Sequence, residues 1–247
     1  EQPVAPEAEE KYLNWIRQRA EHIPLQQLTG EQGFMGLTFS VNEHVLIPRQ
    51  DTEILVEEVL KELHDGMRVL DMCTGSGCIL LSLLHYSNDC EGLGVDLSAE
   101  ALEVAGRNVL KVLTPEKAEH AHFLQSDLFE KVEGKFEIIV SNPPYIASAE
   151  VEKLMPEVRD HEPRMALDGT EDGLHFYRRI IEEAGKHLVS SGMLFFEIGY
   201  DQGQAVSELM RTEGYCEVQV VQDYAGLDRV VFGTYVTVQP APFAKSR

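Results

Sequence analysis

The chain has 247 residues, 43% of them hydrophobic, enough for one large domain, or one domain plus an appendage, around a sizeable core. Its 42 acidic and 21 basic residues give a net charge of −21, a field that repels DNA and RNA, so no direct nucleic-acid partner is expected. No apolar run approaches the ~20 residues of a membrane span, no leader pattern opens the chain, and the four cysteines form no CxxC pair, which argues against zinc and for a reducing cytoplasm.

The first residue is Glu1 and not Met, as expected of a fragment or a processed form. Residues 7–22 carry Tyr12, Trp15, Ile16 and Arg19 at helical spacing and predict an amphipathic helix that stops at Ile23-Pro24. A breaker region follows from Gly30 to Gly36. Leu37, Phe39 and Val41 alternate, and after Asn42-Glu43 come Val45 and Ile47, which predicts a hairpin turning at residues 42–43. Asp51 and Glu53 open a helix reaching about residue 64.

Strands and helices then alternate. Strands are predicted at 67–72, 92–95, 122–125, 136–140 and 193–198, and helices at 77–85, 99–112, 174–188 and 202–212. A long loop is predicted at 147–172. Two strands at 216–222 and 229–236, joined by a short loop, close the fold as an antiparallel pair. Such alternation is the pattern of an α/β fold with a mostly parallel sheet covered on both faces. His120 and His122 read as the lead-in to a strand, and no metal is expected. Residues 237–247, with Pro240 and Pro242, are expected to be a disordered tail.

The first predicted strand of the alternating part runs into Asp71-Met72-Cys73-Thr74-Gly75-Ser76-Gly77 and then a helix. Glycines there let backbone N–H groups approach a ligand at the helix N-terminus. The third glycine of a dinucleotide fingerprint is absent, and Asp71 is poor company for a pyrophosphate. An acid there suits an amine, such as the aminocarboxypropyl end of S-adenosylmethionine. The next strand ends at Asp96, about 20 residues on, where an acid grips ribose hydroxyls. The third ends at Ser126-Asp127-Leu128, where Asp127 can accept from an adenine amino group and Leu128 can pack on the ring.

The fourth strand leads into Asn142-Pro143-Pro144-Tyr145. Two prolines stop the strand and stiffen the turn. The Asn142 side-chain oxygen and a proline carbonyl can each accept one N–H of a planar NH2 group, with the Tyr145 ring against its face.

These pieces resemble a class-I S-adenosylmethionine-dependent methyltransferase, with a Rossmann-like, mostly parallel seven-stranded sheet, here joined by a β-hairpin and a short N-terminal helical remnant. Three further stretches, Ile47-Pro48-Arg49-Gln50-Asp51-Thr52-Glu53, Glu162-Pro163-Arg164-Met165-Ala166-Leu167-Asp168-Gly169 with Asp172-Gly173-Leu174, and DYAGLDRVV at 223–231, make the chain similar to the HemK/PrmC family over roughly residues 10–236. That family methylates the glutamine side-chain amide of the Gly-Gly-Gln motif in class-I peptide chain release factors.

The resemblance implies catalytic roles for Asn142, Pro143, Pro144 and Tyr145, and substrate contacts from the same four with Arg49 and Arg164. It implies S-adenosylmethionine contacts from Asp71, Cys73, Thr74, Gly75, Ser76, Gly77, Asp96, Asp127, Leu128 and Asn142, with S-adenosylhomocysteine as product. It divides the chain into a remnant of a helical substrate-docking domain (1–30), a β-hairpin linker (31–50), a catalytic domain (51–236) and the tail. A cytoplasmic monomer whose partner is a release factor is expected. The chain departs from the family in having Gln50 where Pro is usual, in the Gly33-Phe34-Met35-Gly36 segment, and in showing only the last docking helix. The rivals are a DNA adenine amino-methyltransferase, which needs a flipped base and a basic face, and a non-catalytic nucleotide-binding module.

Overall fold

The computed structural model describes residues 5–236, so the expected tail lies outside the described residues. Two helices come first, α1 (Pro6–Ala20) and α2 (Leu25–Thr29), then a hairpin of β1 (Glu31–Phe34) and β2 (Leu37–Ser40). Next are α3 (Asp51–Glu62), β3 (Arg68–Met72), α4 (Cys78–Tyr86), β4 (Glu91–Asp96), α5 (Ala99–Val112), α6 (Pro115–Ala118), β5 (Ala121–Gln125) and β6 (Phe136–Ser141). After α7 (Ser148–Val151), α8 (Pro156–Arg159) and a 3-10 turn at Arg164–Ala166 come α9 (His175–Ala184), β7 (Leu188–Glu197), α10 (Gly203–Thr212), β8 (Tyr215–Gln222) and β9 (Asp228–Tyr235).

Seven strands form one sheet in the order β5-β4-β3-β6-β7-β9-β8. The pairs among the first five are parallel, and β9 runs antiparallel to both β7 and β8. The chain builds outward from β3 to β5 and returns to lay β6 on the other side of β3. The strand order therefore reverses between β3 and β6, the place where open parallel sheets leave a crevice at the carboxyl ends. Central strands are near-continuous apolar runs because both faces are covered: Val69, Leu70, Ile139 and Val140 are all fully buried. One core layer joins α3, α4 and the hairpin's Phe34 and Phe39; the other joins α9 and α10 to Leu70, Ile139 and Phe196.

The hairpin turns earlier than predicted. Met35 and Gly36, with φ 50° and 70°, make a two-residue turn that pairs Phe34 with Leu37. The strain of a left-handed Met is offset by Glu53, which accepts the Met35 N–H at 2.7 Å, and by Tyr86, whose hydroxyl donates to the Met35 carbonyl. Val41, Val45 and Ile47 are buried as the alternation implies, but residues 41–50 are an irregular strap and not a strand. The hairpin thus spans 31–40 and not 31–50.

Asn108 on α5, fully buried, ties the hairpin to the sheet. Its Oδ1 accepts the Ser40 N–H at 2.7 Å, and its Nδ2 donates to the carbonyls of Ser40 and Ser76. Lys117 closes the far end of α4 by donating to the carbonyls of Leu84, His85 and Ser87, three acceptors left over at a helix C-terminus.

Residues 147–172 are not an open loop. They hold α7, α8 and the 3-10 turn and fold back on the segment after β6, with Ile146 N–H donating to the Leu167 carbonyl at 3.0 Å and Ser148 N–H to that of Thr170 at 2.8 Å. The predicted helix at 174–188 stops at Ala184, and Leu188 already belongs to β7, whose pairing with β6 is broken by a bulge between Phe136 and Ile138. No helix among the described residues is long and apolar enough to cross a membrane.

Candidate active site

A cavity opens at the carboxyl ends of β3, β4, β5 and β6. Its walls include Cys73 to Ser76, Asp96, Leu97, Asp127, Leu128, Asn142 and Pro144, closed by the strap at 44–49 and by Pro163, Met165 and Ala166. The predicted cofactor residues and the Asn142 turn therefore share one space.

The loop after β3 is shaped by backbone. Cys73 has φ 64°, Gly75 55° and Gly77 77°, and α4 starts at once on Cys78. A Cβ on Gly75 would meet nothing within 4 Å, so the loop faces open space, whereas one on Gly77 would press on Ala105 at 3.2 Å. Gly77 serves the packing of loop on α5, and Gly75 serves the cavity.

Asp96 is held by two backbone donors. Its Oδ2 accepts the Gly75 N–H and its Oδ1 the Ser98 N–H, both at 2.9 Å. Burial raises its pKa, and the Ser98 and Gly75 N–H groups oppose the rise. Each oxygen keeps a lone pair for a diol at the cavity wall.

Asp71 behaves differently. It is fully buried and absent from the cavity wall. Its Oδ2 accepts from the Thr74 hydroxyl at 2.6 Å and the Leu80 N–H at 3.3 Å, while Oδ1 has no partner. Burial lifts its pKa from the usual carboxylate range to about 7. The expected direct contact with an amine is therefore not what the geometry offers; Asp71 braces the loop from behind, because the Thr74 hydroxyl and the Leu80 N–H of α4 reach the carboxylate first.

Asp127 lines the cavity and also meets Arg179 of α9 at 3.0 Å. Leu128, at φ 47°, is buried beside it. The residues present fit S-adenosylmethionine: a glycine with free space in front of it, a two-oxygen acid with spare lone pairs, a second acid and an apolar contact at the next strand end.

The acceptor side is the turn after β6. The Ser141 hydroxyl donates to the Met72 carbonyl at 2.6 Å, which locks the two strand ends at the crevice. Asn142 and Pro144 line the cavity; Pro143 is buried. Tyr145 does not line it. Its ring packs against the core layer of α9, and its hydroxyl donates to Glu197 Oε1 at 3.3 Å. The ring expected on the face of an NH2 group is thus drawn beneath the turn by a buried acceptor.

Of the two predicted arginines, Arg49 lines the cavity but is paired with buried Glu162 at 2.5 Å, and Glu162 also accepts the Ile47 N–H. Arg164 lies outside the cavity, exposed and paired with Glu152 and Asp168, because the 3-10 turn points it to solvent. His120 and His122 flank the start of β5, and no cluster of three or more metal-ligating side chains occurs among the described residues.

Sequence reasoning missed Gln202, and named Gly169 and Gly173 without their part in holding the turn. Gln202 donates to the carbonyls of Tyr145 and Gly173 and accepts the Gly199 N–H. Gly169 and Gly173 sit where a Cβ would run into the backbone of Pro144 and Tyr145. The clue was present in Gly173 and Gly199, two glycines near strand and helix ends.

Residues 49–158 match the family model described as the methyltransferase small domain. The chain is 44% identical to the release factor glutamine methyltransferase of Clostridium acetobutylicum, over 90% of this chain and 78% of that one. It is 45% identical to the enzyme of that name from Moorella thermoacetica, over 93% and 81%. Among solved structures, a methyltransferase from Pyrococcus furiosus shares the fold, with a TM-score of 0.58 at 18% identity over 82% of this chain and 91% of that one. Identity of this order along most of both sequences fixes family as well as fold: the chain belongs to the release factor glutamine methyltransferases.

Proposed function

We propose that the chain transfers a methyl group to the side-chain amide nitrogen of the glutamine in the Gly-Gly-Gln motif of class-I peptide chain release factors. As a member of its family it is an enzyme that uses S-adenosylmethionine. The carrying observation is that Asn142 and Pro144 open into the same cavity as Gly75 and Asp96.

The bound cofactor supplies an electrophilic methyl on a sulfonium. Asp96 would hold the ribose hydroxyls with its free lone pairs, the open space at Gly75 would admit the aminocarboxypropyl end, and Asp127 with Leu128 would take the adenine. Asn142 Oδ1 and the Pro143 carbonyl accept the two N–H bonds of the glutamine amide. The amide nitrogen would take the methyl carbon as the sulfonium S–C bond breaks, its electron pair leaving on the sulfur of S-adenosylhomocysteine. The nitrogen's extra proton would then pass to solvent. Because the amide lone pair is delocalised, fixing its direction and supporting the positive charge it gains is the work left to the protein. Arg49, held by Glu162, and the strap at 44–49 shape the entrance. We assign α1 and α2 to a docking region for the release factor: Tyr12 and Ile16 on α1 are at least half exposed, and Arg19 pairs with Glu157 beside the entrance at 2.6 Å. A cytoplasmic monomer completes the reading.

Labelled methyl from S-adenosylmethionine, incubated with a release factor and the chain, tests it. Label should reach the motif glutamine. A factor carrying Glu there has no NH2 and should accept none; one carrying Asn displaces the nitrogen and should be poor. Undiminished label on the Glu-substituted factor overturns the reading.

A further inference from the structure

A buried carboxylate lies under the acceptor turn, where no substrate contact accounts for it. Glu197 ends β7 one residue beyond the Ser141–Phe196 pair, which places it beside the first residue of the turn. It is 2% exposed. One oxygen accepts the Tyr145 hydroxyl; the other has no hydrogen-bond partner among the described residues. Arg229 supplies compensating positive charge nearby, and is itself held by Asp223 at 3.0 Å and by Asp51.

A buried carboxylate with one unfilled oxygen is costly, and an apolar residue would occupy a strand end with less penalty. What Glu197 adds is a fixed acceptor beneath the turn, stabilised by the Thr52 side chain as well as by the Tyr145 hydroxyl. That hydroxyl belongs to the residue whose carbonyl Gln202 also holds at 3.0 Å. Tyr145 is therefore pinned at its backbone and at its ring tip. Between it and Asn142 stand only Pro143 and Pro144, whose rings lock φ. A turn with so few free torsions passes the orientation of its last residue to its first.

We propose that Glu197 is a positioning residue for methyl transfer: by holding the Tyr145 hydroxyl it sets, through two stiff prolines, the direction of the Asn142 amide. The inference rests on the reading that Asn142 orients the substrate amide.

Turnover, KM for the release factor and calorimetric cofactor Kd are measured for wild type, Tyr145→Phe, Glu197→Leu, Glu197→Gln and the Tyr145→Phe/Glu197→Leu double variant, each checked for folding by thermal melting. Tyr145→Phe and Glu197→Leu should each lower kcat about tenfold, as expected for one hydrogen bond to a charged group. Cofactor Kd should stay within about twofold. The double variant should be no slower than either single one, because both remove the same link. Glu197→Gln keeps an oxygen acceptor and should recover kcat to within about threefold of wild type, which a role for the charge itself would not allow. Full kcat in Tyr145→Phe, multiplied losses in the double variant, or a loss shared equally by cofactor Kd overturns the proposal. If Glu197→Leu fails to fold, Tyr145→Phe and Glu197→Gln decide it. A wild-type chain that labels no release factor sinks the functional reading and the inference together; wild-type transfer with unmoved variants sinks the inference alone.

Discussion

At the cofactor end of the cavity the chain closes over short distances, with Gly75 meeting Asp96 across 21 positions and Thr74 meeting Asp71 across 3. At the acceptor end it reaches far: Tyr145 meets Glu197 across 52 positions, Gln202 meets Tyr145 across 57, and Arg49 meets Glu162 across 113. The first end is held mainly by backbone donors on acids, the second by side chains brought from several elements. A wall of backbone tolerates change in its neighbours; a turn held by distant side chains is weakened by the loss of any one of them.

The comparison breaks most clearly at the acceptor end. Asn142→Ala should fold and lose roughly 10²–10³ in turnover, the cost of removing one pre-positioned polar partner. Near-normal transfer of labelled methyl would remove the turn from the chemistry. Gly173→Ala probes the long-range packing alone. Gly173 has φ 73°, and an added Cβ would run into the Tyr145 carbonyl. The variant should lose roughly 2–3 kcal/mol in urea unfolding, and an unchanged midpoint would mean that the turn yields easily.

The cofactor end gives smaller effects. Asp96→Ala should weaken S-adenosylmethionine about tenfold or more, by calorimetry, since a hydrogen bond to a charged group contributes roughly 1.5–3 kcal/mol. Unchanged affinity would move the ribose elsewhere.

Asp71 adds a pH dependence of stability. Its folded pKa, raised by burial to about 7, lies above that of the unfolded chain. Its contribution is therefore fully present below the unfolded pKa and is lost as pH rises through about 7. Between pH 6 and 8 this amounts to roughly 1.4 kcal/mol. Urea melts at the two pH values should show that slope in wild type and a flatter one in Asp71→Asn; equal slopes would mean that Asp71 is ionised throughout. Smallest of all, Arg164→Ala should leave methyl transfer within about twofold, because exposed ion pairs contribute little. A large loss would return Arg164 to the substrate.

The same contrast governs what could be read from the residues alone. The strands that carry Asp71 and Asp96 at their carboxyl ends, and the one that precedes Asp127, are legible from their place in the alternation with helices. Two prolines after a strand mark a turn at Asn142 but equally fit a plain strand stop; its place on the cavity wall comes from the fold. The hairpin was misplaced because Met35, a residue that rarely adopts positive φ, occupies the turn, and its compensation by Glu53 and Tyr86 is tertiary. Short helices at 148–151 and 156–159 lack any periodic signal at four residues each. Glu197 and Gln202 were illegible because a polar residue in or after a buried strand gives no hint of which distant group it meets.

Asn108 carries a consequence for motion. Its amide joins the hairpin edge at Ser40 to the cofactor loop at Ser76. Hydrogen bonds from one buried amide to both segments couple their local opening. Hydrogen exchange should then show the Ser40 amide slowing when S-adenosylmethionine is added, although Ser40 is not on the cavity wall. In Asn108→Ala the Ser40 amide should exchange faster and cease to respond to cofactor, leaving a hairpin that breathes on its own.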